Sequence, residues 1–245
     1  MRRIERAGTP LAYALDPGRA PTIVFLPGLR SDMRGAKALA LRAAAAAWGV
    51  AMLRLDYAGH GASGGRFEDG CIGEWAADAL AVIEATAPGP LILVGSSMGG
   101  WIGLLLARRL GRRIAGFVGI AAAPDFTETM IRPALTAAQR QALERDGRFE
   151  VPNAYGEPLP ITRRLIEDGA RNRVLGTPIP LTCPVRLLQG QQDSDVPWQT
   201  ALALAEGIES ADVQVELIKD GDHRLSREAD LRRLTAAVAS VLPPP

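Results

Sequence analysis

Ser97 has the sequence surroundings of a nucleophilic serine. It follows an apolar, strand-like run, is flanked by Gly95 and Gly99, and precedes a segment with helical spacing that starts at Met98. Glycines on both sides permit a tight strand-to-helix turn that lifts the Ser97 hydroxyl above a sheet. The backbone N–H of Met98 then points to where a tetrahedral oxyanion would form. Ser96 lacks a glycine two residues before it, so Ser97 is the predicted nucleophile.

A serine hydroxyl needs a base, and the chain contains only two histidines, His60 and His223. His223 lies in a turn after the last strand-like run, whereas His60 precedes Ser97 in a glycine-rich loop. Where a nucleophile sits on a strand-turn-helix of this kind, the chain order is serine, then carboxylate, then histidine. This order selects His223 as the base and predicts that His60 packs or hydrogen bonds locally.

The imidazole in turn needs an orienting carboxylate, and two aspartates follow the strand-like run Val185–Gln189. Asp193, three residues after Gly190, has the usual spacing and is the predicted partner of His223. Asp195 is the alternative, although it is also placed to cap the helix predicted to start near Trp198.

A second oxyanion donor is expected in the loop after the strand-like run Thr22–Leu26. The best candidate in the segment Pro27–Ser31 is the backbone N–H of Leu29. With Met98, it completes the predicted oxyanion hole.

A competing motif, Gly59-x-Gly61-x-x-Gly64, formally matches a dinucleotide-binding fingerprint. Helical spacing resumes only near Ile72, so no helix N-terminus is available for a pyrophosphate. The motif therefore predicts a structural loop. Two histidines and two cysteines also cannot build a metal site without carboxylates. We expect neither a metal nor a cofactor.

The elements that must position these residues alternate between strands and helices, which favours a mostly parallel sheet covered on both faces. The predicted strands are Leu11–Leu15 as an edge strand, Thr22–Leu26, Val50–Leu55, Leu91–Val94, Gly116–Ile120, Val185–Gln189 and Val213–Ile218. The predicted helices are Gly35–Trp48, Ile72–Ala87, Met98–Leu110, Trp198–Glu209 and Arg224–Leu242.

Residues 124–183 break this alternation, because prolines interrupt short helical pieces and no strand-like run appears. The segment is too long for a connecting loop, so we expect a small helical cap inserted into a core of residues 1–123 and 184–245. Most of its apolar residues are expected to form the core of the cap itself, although some could line an acyl pocket: Met130, Ile131, Leu135, Phe149, Tyr155, Leu159 and Ile161. Four of its arginines are expected on a solvated face, although they could hold an acidic group: Arg163, Arg164, Arg171 and Arg173.

The composition excludes several function classes. A formal net charge of +1 over 245 residues argues against nucleic acid as a partner. No apolar run approaches the roughly 20 residues that a membrane-spanning helix needs. The N-terminus shows neither the apolar segment of a signal peptide nor an Arg- and Ser-rich transit segment. We therefore expect a cytoplasmic protein.

Several motifs together resemble those of the α/β-hydrolases: Gly95–Trp101, Asp56–Gly59, Pro178–Leu188, Asp193–Trp198 and Asp222–Arg224. Within that family the chain is most similar, from about Pro21 to Leu234, to the acyl-protein thioesterases that also cleave acyl glucuronides. The resemblance implies an eight-stranded, mostly parallel sheet, a cap between the sixth and seventh strands, and a triad of Ser97, Asp193 and His223.

The function that this resemblance implies is hydrolysis of acyl thioesters or carboxylic esters through an acyl-serine, with a small molecule or an acylated protein as substrate. Two alternatives stay open. A carbon-carbon bond hydrolase of dienoic keto acids would use the same triad, and a non-catalytic ligand-binding protein could share the fold.

Overall fold

The computed structural model describes residues 1–152 and 158–244. Its strands are β1 (Arg2–Arg6), β2 (Thr9–Asp16), β3 (Arg19–Leu26), β4 (Val50–Leu55), β5 (Leu91–Ser96), β6 (Ile114–Ile120), β7 (Arg148–Val151), β8 (Leu159–Thr162), β9 (Val185–Gly190) and β10 (Val213–Ile218). Within the described residues, eight of them form one sheet in the order β1-β2-β4-β3-β5-β6-β9-β10. β2 pairs antiparallel with β1 and β4, and the other pairings are parallel. The predicted α/β class and mostly parallel eight-stranded sheet are confirmed.

Helices cover both faces of this sheet: α1 (Ala36–Ala47), α2 (Ile72–Thr86), α3 (Met98–Leu110), α7 (Gln199–Gly207) and α8 (Glu228–Ser240). The other helices of the described residues lie between β6 and β9 in the sequence: α4 (Arg132–Ala134), α5 (Ala137–Asp146) and α6 (Arg163–Arg171). Side chains alternate along β3, so Ile23 and Phe25 pack in a cluster with α1 and α8. Val24 and Leu26 face the other way, into a cluster with α2, α3 and α7. This alternation buries the central strands on both faces, as a parallel sheet requires.

The N-terminal edge of the sheet differs from the prediction. Leu11–Leu15 is predicted as an edge strand, but β2 lies inside the sheet between β1 and β4. β1 is the edge, and the sequence did not indicate it because Ile4 is its only apolar residue. A short edge strand exposed on most of its length carries charged side chains and no clear alternation.

We refer to residues 124–183, between β6 and β9, as the cap segment. It begins with a π-helical turn at Thr127–Ile131 and contains α4, α5 and α6. It also contains β7 and β8, which pair antiparallel as a separate sheet. The sequence predicts no strand here, because each strand is only four residues long and β8 includes Pro160. Proline is tolerated only where a strand has a free edge.

Hydrogen bonds across long sequence distances tie the cap segment to the core. The carboxylate of Asp168 on α6 accepts the N–H of Gly73, in the first turn of α2, at 2.7 Å. The indole of Trp101 on α3 donates to the carbonyl oxygen of Asn172 at 3.0 Å. At the start of the cap segment, the buried Asp125 carboxylate accepts two backbone N–H groups of the returning chain, each at 2.9 Å. The cap segment is thus held against α2 and α3.

No helix in the described part of the chain is both long enough and apolar enough to span a bilayer.

Candidate active site

Ser97 occupies a strained turn between β5 and α3. Its φ of 53° and ψ of −120° lie in a region that non-glycine residues rarely adopt. A side chain at Gly95 would come within 2.4 Å of the Gly99 carbonyl oxygen, and one at Gly99 within 2.0 Å of the Leu26 carbonyl oxygen. Both flanking positions therefore require glycine, and the close packing around them holds Ser97 in its conformation. Such strain costs about 1–3 kcal/mol and is concentrated at functional sites.

The structure brings Ser97, His223 and Asp193 into one hydrogen-bonded chain. Nδ1 of His223 lies 2.9 Å from Oδ2 of Asp193, and Nε2 of His223 lies 3.1 Å from Oγ of Ser97. A carboxylate can only accept, so Nδ1 carries the proton and Nε2 is left as an acceptor for the Ser97 hydroxyl. This is the tautomer that a general base needs.

Asp193 is kept ionised although its side chain is fully buried. Burial raises its pKa, but the hydrogen bond and charge of His223 lower it, as do backbone N–H groups of Val196 and Asp195. The net result is a pKa below the ordinary value for aspartate. The amide of Gln189, at the end of β9, also donates to Oδ2 at 2.9 Å. Gln189 was not predicted from the sequence, where the only indication of its role is that a polar residue ends a buried strand.

Backbone contacts hold the loops after β9 and β10 together. The N–H of Gln192 donates to the carbonyl oxygen of Gly221 at 2.9 Å. A side chain at Gly190 would come within 2.2 Å of the same oxygen. The two loops that carry Asp193 and His223 are therefore fixed relative to each other by their main chains.

Asp195, the alternative carboxylate, has a different position. It lines the cavity beside Ser97 and accepts a hydrogen bond from Ser194 at 3.3 Å. Helix α7 begins after Trp198 without a side-chain cap, so Asp195 does not act as the capping residue that its spacing allowed. The carboxylate that contacts His223 is Asp193.

Leu29 and Met98, the predicted oxyanion donors, both line the cavity that contains Ser97 and His223. The loop of Leu29 passes close to Ser97, since a side chain at Gly28 would come within 3.3 Å of Cβ of Ser97. Met98 is the first residue of α3, where backbone N–H groups have no intrahelical acceptor. Both residues thus lie beside Ser97 at the cavity, and their role as oxyanion donors stays a prediction.

His60 lies away from the hydrogen-bonded side chains of Ser97, His223 and Asp193, as predicted. Its Nδ1 is 3.2 Å from the carbonyl oxygen of Ala58, and its ring makes edge contacts with Tyr57, Phe67 and Trp75. Burial, together with the charge of Arg30, lowers its pKa to about 4, so the imidazole is neutral at physiological pH. The local packing role predicted for His60 is confirmed.

The glycine-rich motif is a structural loop. Gly59 and Gly61 have φ values of 73° and 50°, and a side chain at Gly61 would clash with the Asp56 carboxylate at 2.2 Å. That buried carboxylate accepts the backbone N–H groups of Met33 and Ala62 at 2.7 and 2.8 Å. The motif leads into a short 3₁₀ turn rather than directly into α2, and so has no helix N-terminus for a phosphate.

A cavity of about 570 Å³ opens above Ser97, and the cap segment provides much of its wall. Six of the seven apolar residues considered for an acyl pocket line it: Met130, Ile131, Leu135, Phe149, Leu159 and Ile161. The seventh, Tyr155, lies outside the described residues. The volume and the apolar wall are typical of a small-molecule site.

The four cap-segment arginines that were considered for an acidic group do not line this cavity. Arg163 donates to carbonyl groups at the end of α5. The others are exposed arginines that each lie within 4 Å of a carboxylate: Arg164 near Glu74, Arg171 near Asp168 and Arg173 near Asp125. The expected solvated face is confirmed. Across residues 1–152 and 158–244, no group of three or more His, Cys, Asp and Glu side chains is arranged to hold a metal ion.

A mostly parallel sheet with a serine on a strained strand-to-helix turn, hydrogen bonded through histidine to aspartate, defines a class of hydrolases. Residues 23–238 match the model of the alpha/beta hydrolase family, and the chain belongs to that family. It is 38% identical, over 95% of its length and 78% of the relative, to the mitochondrial palmitoyl-protein thioesterase ABHD10 of Mus musculus. The chain is thus a hydrolase.

Two solved structures support the assignment of the chain to this family. The mouse alpha/beta hydrolase domain-containing protein 10 superposes with a TM-score of 0.90 and 37% identity, covering 98% of this chain and 97% of that one. A proposed hydrolase from Agrobacterium vitis S4 superposes with a TM-score of 0.94 and 44% identity, covering 99% and 97%.

These relatives contradict the predicted cytoplasmic location. The mouse thioesterase and its bovine, rat, orangutan and human counterparts are all named as mitochondrial. The prediction relied on the composition of the N-terminal residues. Because Arg2–Arg6 form strand β1 of the sheet, their composition reflects the fold and carries no information about location.

Proposed function

We propose that this hydrolase cleaves acyl thioesters and carboxylic esters through an acyl-serine intermediate. Ser97 is the nucleophile, His223 the general base and Asp193 the group that orients it. The backbone N–H groups of Leu29 and Met98 form the oxyanion hole. The observation that carries the proposal is the hydrogen-bonded chain of these three side chains, which opens into a largely apolar cavity.

The reaction follows from the protonation states at the site. Nε2 of His223 accepts the Ser97 proton as Oγ attacks the carbonyl carbon, and the oxyanion accepts hydrogen bonds from the two backbone N–H groups. The protonated imidazole, stabilised by the ionised Asp193, donates its proton to the leaving thiol or alcohol. Water activated by the same imidazole then attacks the acyl-serine and releases the acid.

The substrate assignment is supported by the cavity and by the relatives. Apolar side chains of residues 124–183 line the space above Ser97, and we propose that this segment acts as a cap that encloses an acyl chain. The mammalian relatives are named palmitoyl-protein thioesterases. We therefore propose an acylated protein or a small acyl ester as substrate.

A series of acyl thioesters and aryl esters of increasing chain length, measured with wild type and Ser97→Ala, tests this proposal. We expect wild type to hydrolyse both kinds of substrate and Ser97→Ala to hydrolyse neither above background. Faster cleavage of a dienoic keto acid than of every ester and thioester would contradict the proposal and support the carbon-carbon bond alternative.

A further inference from the structure

A second cavity, which we call the outer cavity, lies in the cap segment and shares one described lining residue with the active-site cavity. It has a volume of about 320 Å³ and lies between α4, α5 and α6. Its lining residues are Arg132, Leu135, Arg140, Leu143, Glu144, Arg163, Ile166 and Glu167. Of the described residues that line either cavity, Leu135 alone lines both.

Leu135 is held in this position by the elements around it. It follows α4 directly and precedes Thr136, whose hydroxyl and backbone exchange hydrogen bonds with Gln139 in a capping box at the start of α5. Its side chain is 7% exposed and belongs to the same apolar cluster as Phe149 and Ile161. Leu135 is therefore a packed side chain that lines both cavities, and shortening it would enlarge the active-site cavity.

The wall of the active-site cavity is apolar around Leu135, and its charged lining residues belong to loops of the core. Met130, Ile131 and Ala134, from the same short stretch of chain, line it together with Leu135. Gln139 also lines it, but its amide oxygen is engaged by Thr136. The charged lining residues Arg30 and Asp195 come from loops that follow strands of the core sheet. An apolar acyl chain is stabilised where it leaves water for an apolar wall, which directs it toward Leu135.

We propose that Leu135 is the end wall of the acyl site and sets the longest acyl chain that the enzyme accepts. This inference rests on the proposed function, since it concerns the acyl group that is transferred to Ser97. An acyl chain too long for the active-site cavity would have to displace Leu135 to reach the outer cavity. One methylene too many in a closed apolar pocket costs roughly 10- to 200-fold in kcat/KM.

The test is the kcat/KM profile of p-nitrophenyl esters and acyl thioesters from C2 to C18, for wild type, Leu135→Ala, Leu135→Phe and Leu143→Ala. Leu143 is the matched control, because it lines the outer cavity but not the active-site cavity. For Leu135→Ala we expect at least a tenfold rise in kcat/KM at the first chain length that wild type rejects, with the C2 value within about threefold of wild type. Leu135→Phe should move the cutoff to shorter chains, and Leu143→Ala should leave it unchanged.

The Leu135 variants change the cutoff in opposite directions, so a loss of stability in one of them cannot mimic the result. The inference would be overturned if a Leu135 variant that retains its C2 activity had the same chain-length cutoff as wild type. It would also be overturned if Leu143→Ala shifted the cutoff as Leu135→Ala does. If wild type hydrolysed no ester or thioester, the proposed function itself would be overturned. That outcome can be told apart from a failure of the Leu135 inference, because it is seen in wild type before any variant is compared.

Discussion

The carboxyl edge of the sheet and the cap segment are held in place in different ways. At the sheet edge, contacts within a few residues or between adjacent loops fix each functional side chain, as with Gly95 and Gly99 around Ser97. The cap segment instead relies on bonds to distant elements, such as Asp168 to Gly73. We therefore expect changes near Ser97 to affect the chemical step, and changes in the anchors of the cap segment to affect the shape of the proposed acyl site.

The two histidines provide the largest test of this comparison. Removing the base in His223→Ala should lower kcat by about 10⁴- to 10⁶-fold, because Ser97 then has no proton acceptor. His60→Ala is the matched control, since His60 packs among aromatic rings away from the cavity. We expect it to keep most of its activity per folded molecule. Steady-state kinetics on one ester would contradict the account if both variants lost activity equally.

The two aspartates after β9 give the next largest effect. Asp193→Asn should lower kcat by about 10⁴-fold, because an amide can donate to Nδ1 and favour the wrong imidazole tautomer. Asp195→Asn changes the same chemical group two residues away, where it contacts Ser194 rather than His223. It should leave kcat near the wild-type value. A larger loss in Asp195→Asn than in Asp193→Asn would show that the carboxylate is wrongly assigned.

Because His60 is buried in the core, it makes the free energy of unfolding depend on pH. Its pKa is about 4 in the folded protein and 6.5 in its ordinary state, so between these values the unfolded chain binds more protons. Stability is therefore fully present above about pH 6.5 and is lost as the pH falls toward 4, by roughly 3 kcal/mol in total. Urea unfolding at pH 7.5 and 4.5 should show this loss in wild type and a smaller one in His60→Gln. Equal losses in the two proteins would refute this role for His60.

The cap anchor gives the smallest expected effect. Asp168→Ala removes the acceptor for an N-terminal N–H of α2, which has no other side-chain cap, and should cost about 1 kcal/mol. We expect KM to rise for long acyl substrates while kcat for acetyl esters is unchanged. Glu167→Ala, an exposed neighbour on α6, is the control. An equal effect on short and long substrates would show that Asp168 does not shape the acyl site.

The difference between local contacts at the sheet edge and long-range contacts of the cap segment explains what could be predicted from the sequence. Ser97 and His223 follow from local motifs and chain order, because a strand-to-helix turn must have glycines and the base comes last. Asp193 and Asp195 could not be separated fully, since both follow the same strand and only the folded loop shows which carboxylate reaches His223. Strands β7 and β8 are four residues long and β8 includes Pro160, so neither produces a strand-like run. The anchors of the cap segment depend on partners distant in sequence, which periodicity does not reveal.

Peptide mapping after treatment with a fluorophosphonate probe tests the central claim most directly. The account predicts a single adduct on Ser97 in wild type, formed in parallel with the loss of esterase and thioesterase activity, and no adduct at that position in Ser97→Ala. It also predicts much slower labelling of His223→Ala, because the hydroxyl then lacks its base. Complete inactivation with Ser97 unmodified, or Ser97→Ala that still hydrolyses acyl thioesters, would contradict the claim that Ser97 is the nucleophile.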